Sequence, residues 1–441
     1  MIGQANIVIK ISRFLSGFSV LMAIFTFIRS ESGLLSVLLW IPKALAGGFS
    51  LLATLSGILG SILGLLNRDL RSAVLGLFGA SMSARYVIKV AASHGGFEEV
   101  FGPDWEAYIT PEVKKRMYSK RWTPLPKNPP EIPWRQDIHI ATDPEDGDRL
   151  YADLWIPPDR EYRTGLGVIY LHGSGWHYGN KDMRTRHFFR HLTNQGHVII
   201  DFAYRLAPNV DLHQMLFDVK RAINWMKTNA VDYGVDAKKV VLMGGSAGAQ
   251  LALLAAYTPN DPHFQPKDIQ VDTSVCGVVS YYGPTDLVEL HRYFESKFRR
   301  IPTRSSFSRR VPISRWEDRA RRTGFLPPNG RFVAPMEILP SLMGDAPERV
   351  IDLYRLGSPI NHVGGHCPPT LLLQGLHDFG GMVNQARMLH NALCRVGVRS
   401  ILVEFLDTEH GFDLFLPKWS PATQAATYDT ERFLALLSFS R

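Results

Sequence analysis

The sequence predicts an α/β fold, a mostly parallel sheet of short buried strands covered by helices on both faces. Two observations carry this. After residue 135, short apolar runs alternate with longer amphipathic stretches, and several runs end directly in glycines, as where a strand turns into a helix. Strands are expected near 138–140, 150–156, 168–171, 198–202, 240–243, 275–281, 370–373 and 401–406. Helices are expected at 211–228, 247–257 and 383–396, with one more closing the chain. A strand buried on both faces reads as a continuous apolar run, and that is the pattern of parallel sheets.

Residues 1–96 are of another kind. Residues 14–28 form an uncharged apolar run bracketed by Arg13 and Arg29, and residues 44–66 form a second. About 20 apolar residues suffice to cross a bilayer as a helix, so the second run is long enough and the first is marginal. The glycines of the second run would weaken a helix in water but let helices approach closely in lipid. A cleaved signal and a buried helical subdomain are the competing readings. The signal fails because apolar sequence continues well past the first run without a clean small-residue cleavage site. A membrane anchor with candidate spans 14–28 and 44–66 is therefore expected. If both span, Lys10, Arg13, Arg68, Arg71, Arg85 and Lys89 share a side with the rest of the chain, which places that part in the cytoplasm. Residues 97–134 are proline-rich and read as a connector with a short helix near 111–118.

Composition sets bounds on the rest. Of 441 residues, 45% are hydrophobic and 20% charged, which excludes disorder and fibrous repeats. The net charge of +8 is concentrated: residues 289–331 hold twelve Lys/Arg against four acids. Such a stretch, interleaved with Phe294, Phe298, Phe307 and Trp316, could meet nucleic acid or anionic lipid, or be a solvated loop. Cys276, Cys367 and Cys394 show neither disulfide nor zinc-site spacing, so no metal is expected.

The segment Gly244-Gly245-Ser246-Ala247-Gly248 lies between an apolar strand and an apolar helix. Glycines flank a serine in this way where the serine occupies a sharp strand-to-helix turn, which lifts its hydroxyl out at the sheet edge. A serine needs a base, and the base an orienting carboxylate. Asp378 follows one buried strand and His410 the next, so both reach the edge that carries Ser246. Asp407 is the rival acid and His377 the rival base; Asp407 stands too close in sequence to His410 to reach its far nitrogen. Gly173, Ser174 and Gly175 follow the strand at 168–171, and their backbone N–H groups, with that of Ala247, are the candidate oxyanion hole.

HGSGW at 172–176, YRLAP at 204–208, GGSAG at 244–248, the acid in GLHD and the histidine in HGF resemble the hormone-sensitive-lipase-like and arylesterase-like α/β-hydrolases. The resemblance covers residues 135–441. It implies an eight-stranded α/β-hydrolase sheet, no cofactor, and hydrolysis of carboxylic esters through an acyl-enzyme with Ser246, Asp378 and His410 as the triad. Ser174 stands where the family usually has glycine, and Asn209 follows YRLAP where glutamate is common. The interval of 132 positions from Ser246 to Asp378 leaves room for a cap, placed at about 287–345, with the arginine-rich stretch as its lid. The expected partners are a membrane and a small-molecule or lipid ester, not nucleic acid. An amidase or peptidase using the same triad, and a binding protein that has lost the chemistry, are the alternatives.

Overall fold

The computed structural model describes residues 2–29, 33–299, 313–323, 325–327 and 330–439. Arg300, Arg304, Phe307, Arg309 and Arg310 of the basic stretch lie outside the described residues.

Eight strands form one sheet: β1 (Trp134–Thr142), β2 (Arg149–Trp155), β3 (Gly167–Leu171), β4 (Val198–Ala203), β5 (Val240–Gly245), β6 (Gly277–Tyr281), β7 (Thr370–Gly375) and β8 (Ser400–Phe405). Their order is β1-β2-β4-β3-β5-β6-β7-β8. β2 pairs antiparallel with β1 and β4, and the other neighbours are parallel. Alternate residues of the central strands feed two cores. Ile169, Leu171, Ile200, Phe202 and Leu242 pack against helices Leu212–Thr228 and Ala247–Tyr257. Val168, Tyr170, Ile199, Val241 and Met243 face helices Arg186–Asn194 and Pro421–Phe439. Every strand expected from the sequence is present, with ends moved by a few residues. Helix Arg186–Asn194 was not expected: its Arg, His and Thr residues mask the buried stripe of Phe189 and Leu192.

Ahead of the sheet the chain forms helices α1 (Ile2–Phe27), α2 (Gly33–Gly48), α3 (Ser50–Leu66) and α4 (Leu70–Ala91). This corrects the span expected at 44–66. A break at Phe49 separates α2 from α3, and the two meet at 70°. Residues 70–91, not expected as a span, form a helix within the stretch Leu70–Phe101, which is long and apolar enough to cross a membrane.

α1, α3 and α4 pack as a bundle on their small residues. The Ser12 hydroxyl donates to the Gly60 carbonyl and that of Ser16 to Ser72, each at 2.8 Å. A Cβ on Gly57 would sit 2.5 Å from the Gly76 carbonyl oxygen, and the reverse also holds. The outer faces are apolar and exposed, as with Phe14, Leu55, Ile62 and Phe78. Arg13 pairs with Asp69 at one end of the bundle, and Phe27 meets Arg85 at the other. That second end rests on the sheet domain: Tyr86, Val87, Val90 and Phe97 share a core with Phe433 and Leu434.

The expected short helix near 111–118 is the four-residue Pro111–Lys114. Between β6 and β7 the chain forms helices Leu287–Phe298, Ile313–Arg322, Pro335–Met343 and Pro347–Leu356. Arg321 donates to the Gly330 carbonyl and to Asp318, and the buried Glu317 carboxylate accepts from the Phe332 N–H at 3.0 Å.

Gly76→Ala is expected to separate α3 from α4 and cost about 1–3 kcal/mol, as overpacking does. Gly17→Ala, exposed with nothing within 4 Å of the added carbon, is expected to be neutral or to stabilise by up to about 1 kcal/mol. Thermal melting of the full chain in detergent separates the two.

Candidate active site

Ser246 joins β5 to helix Ala247–Tyr257 at φ 53° and ψ −120°. A side chain held in such a backbone conformation costs about 1–3 kcal/mol and persists only where the surroundings fix it. Here they do. Its N–H donates to the Tyr281 carbonyl at 2.9 Å. The helix behind it packs so close to β3 that a Cβ on Gly248 would lie 2.1 Å from the Leu171 carbonyl oxygen.

The loops after β7 and β8 bring two further side chains to this turn. The Ser246 hydroxyl donates to Nε2 of His410 at 3.0 Å, and Nδ1 of His410 donates to Oδ2 of Asp378 at 2.9 Å. Asp378 is fixed in turn: Oδ2 accepts from the Gln374 amide at 2.9 Å and Oδ1 from the Gly380 N–H at 2.7 Å. The rival residues are elsewhere. His377 accepts from Arg29 at 2.8 Å, and Asp407 lies against His377 and Arg85.

Burial works against a charge on His410, but the charge of Asp378 and its hydrogen bond, with Glu409 and Asp413, outweigh it and leave the pKa above the ordinary value. Burial pushes Asp413 up to about 6, against the pull of the Tyr282 hydroxyl that donates to it and of His410. His377 is driven down to about 4 by burial and by Lys43 and Arg29.

The loop 173–176 passes in front of the serine. Ser174 and Gly175 have φ of 85° and 62°, and the Ser174 hydroxyl turns to Met183. The YRLAP turn holds this loop from behind. The Tyr204 hydroxyl donates to the His172 carbonyl at 2.8 Å and the Ala207 N–H to the Trp176 carbonyl at 3.0 Å. Trp176 donates to Gln250 at 3.0 Å, on the helix that follows the serine. Ala247 is the first residue of that helix, so its N–H has no acceptor within it. Beneath the turn, Arg205 reaches Asp143, Asp146 and the buried Asp218 at 2.5, 2.5 and 2.7 Å.

A cavity of about 350 Å³ opens over these groups. Ser246, His410, Gly173, Ser174 and Gly175 form one wall of it. The remainder is apolar: Leu290, Phe294, Phe298 and Ile338 from the insertion between β6 and β7, Phe379, Met382 and Leu414, and Val37 and Trp40 of α2. The described residues of the insertion thus turn apolar side chains inward. Gln374, Glu409, Tyr282 and Asp413 were not foreseen from the sequence, where nothing separates them from ordinary polar residues at strand ends and in loops. His291, Glu295 and Glu348 could bring one ligand atom each within 4.8 Å, but both carboxylates are exposed, where such groupings are common without an ion.

Residues 152–312 match the BD-FAE family model. An esterase from Thermogutta terrifontis superposes with a TM-score of 0.50 at 22% identity, covering 70% of this chain and 96% of that one. This is the α/β-hydrolase fold. Two proteins of Mycobacterium tuberculosis are similar in sequence. Probable carboxylic ester hydrolase LipM is 29% identical over 66% of this chain and 59% of its own, and Esterase LipQ is 27% identical over 77% and 73%. The chain thus spans under two thirds of the length of LipM. The likeness in sequence is to proteins named as a carboxylic ester hydrolase and an esterase, and the likeness in structure is one of fold.

Arg205→Met is expected to leave the buried Asp218 with only the more distant Arg221, 3.6 Å away, and to destabilise by up to about 3 kcal/mol. Urea denaturation of the full chain in detergent measures it.

Proposed function

We propose that this α/β-hydrolase is a membrane-anchored serine esterase that hydrolyses carboxylic esters of apolar acids or alcohols through an acyl-enzyme. The observation that carries this reading is the unbroken hydrogen-bonded chain from Ser246 through His410 to Asp378 beside an apolar cavity. His410 takes the hydroxyl proton as Oγ attacks the ester carbonyl, and Asp378 holds the imidazole in the tautomer whose Nε2 is free to accept. The negative charge that forms on the carbonyl oxygen falls to the N–H groups of the 173–175 loop and of Ala247. His410 returns the proton to the leaving alcohol; water, activated in the same way, then releases the acid. The names of LipM and LipQ, a carboxylic ester hydrolase and an esterase, support an ester substrate. The small polar fraction of the cavity wall supports an apolar substrate.

α1, α3 and α4 lie across the bilayer in this proposal, with the sheet domain at one surface and α2 along that interface. α1 and the stretch Leu70–Phe101 that begins with α4 are each long and apolar enough to cross a membrane, α2 and α3 are so when taken together, and the exposed faces of all four are apolar. Three crossings put the N-terminus and the sheet domain on opposite sides, unlike the two-span expectation. Lys10, Arg13, Arg68 and Arg71 then sit at the far end and Arg29, Lys43, Arg85 and Lys89 at the near end. This even division withdraws the charge argument for a cytoplasmic sheet domain.

Wild-type protein in detergent is expected to take a fluorophosphonate label that Ser246→Ala abolishes; a folded wild type that takes none would defeat the esterase reading. Asp378→Asn is expected to lower kcat by about 10³–10⁴-fold, the cost of the wrong imidazole tautomer. His410 accepts a proton only when neutral, so activity is present above its pKa and lost below it. Because that pKa is raised, kcat/KM for a neutral ester is expected to fall on acidification through a midpoint above the ordinary histidine value of 6.5. A rate that stays flat across that range would remove His410 from the role of base.

A further inference from the structure

We propose that α2 is a working part of the active centre as well as a link in the anchor, and that Lys43 is a positioning residue acting on the triad through Glu409. The proposal rests on the esterase reading above.

Both peptide groups of His410 are tied to α2. Its carbonyl oxygen accepts from Nε1 of Trp40 at 2.7 Å. Its N–H donates to Oε1 of Glu409 at 3.0 Å, and the other carboxylate oxygen of Glu409 lies 2.5 Å from Nζ of Lys43. Oε1 of Glu409 also accepts the Phe379 N–H at 2.7 Å. One oxygen therefore bridges the loop that carries Asp378 and the loop that carries His410. The separation it sets is the one across which Nδ1 of His410 meets Asp378 at 2.9 Å.

The bridge is strong as long as Glu409 is ionised, because a carboxylate binds N–H groups about twice as firmly as a neutral acceptor. Ionisation is not free here. The Glu409 side chain is 2% exposed and that of Lys43 9%. Burial raises the pKa of Glu409, and the charge and hydrogen bond of Lys43 pull it back. Without Lys43 the carboxylate either takes up a proton, which weakens the bridge, or remains as an uncompensated charge next to Asp378. Either outcome disturbs the loop pair, and a misplacement of about 1 Å at reacting groups can cost about a hundredfold in rate. A helix serving as anchor alone would have no need of a buried cation at this point. The outer face of α2, with Leu34, Leu38 and Ile41 exposed, is apolar.

The test uses the full-length protein in lipid nanodiscs, with p-nitrophenyl butyrate as substrate and fluorophosphonate labelling in parallel. Lys43→Met is expected to lower kcat by about tenfold to a hundredfold with KM little changed and the protein still in the nanodisc. Lys43→Arg should retain most of the activity. Lys43→Met combined with Glu409→Gln should lose no more than Glu409→Gln alone, since a lysine that acts through Glu409 has nothing left to act on once that side chain is neutral. It also serves should the single variant melt below the assay temperature. Lys43→Met at wild-type kcat, or losses in Lys43→Met and Glu409→Gln that simply add in the double variant, would overturn the proposal. Wild-type protein that neither labels nor turns over would defeat the esterase reading itself, whereas a labelled wild type with an unaffected Lys43→Met variant defeats this proposal alone.

Discussion

The close seat of helix Ala247–Tyr257 against the ends of β3 and β5 is the constraint from which the site follows. With the Gly248 backbone in near contact with the Leu171 carbonyl, the chain can pass from strand to helix only through a cramped turn, and Ser246 occupies it at positive φ. Parallel strands then do the rest. β3, β5, β7 and β8 run the same way, so the loops that follow them emerge at one edge. Residues far apart in sequence, Gly173, Asp378 and His410, arrive around the serine without any special connection between them.

Around His410 the fold places three carboxylates, on Asp378, Glu409 and Asp413, and each has its own counterweight. Asp378 receives the imidazole and two N–H donors, Glu409 a lysine from α2, and Asp413 the Tyr282 hydroxyl. Their joint field favours the imidazolium that would form during proton transfer, and burial opposes it. Similar acids so close together are tolerable because the compensating groups come from different elements: β6, the β7 loop and α2.

The sheet was legible because its central strands are buried on both faces and carry apolar runs, as Val240–Gly245 and Thr370–Gly375 do. Ser246, Asp378 and His410 were legible because each follows such a run. The N-terminal helices were read less well. Hydropathy does not register the break at Phe49, since both sides of it are apolar, and it is diluted in 70–91 by three cations, two of which lie near the sheet domain. Helix Arg186–Asn194 was hidden by its polar face. The link between Lys43 and Glu409 spans 366 residues and has no local signature; two charged residues at that separation gain meaning only when the fold brings them together.

The foot of α4 has its partners at the far end of the chain. Tyr86 meets Thr408, His94 meets Asp429, and just beyond, Tyr118 and Arg121 are held by Glu431 and Asp429. A ribosome delivers the first of these residues long before the last, and contacts of such sequence separation form late because the intervening loop must close first. The apolar foot formed by Tyr86, Val87, Val90 and Phe97 therefore stands uncovered until the closing helix Pro421–Phe439 has been made. During synthesis this surface is open to wrong partners, and completion of the C-terminal helix is the event that ends that exposure.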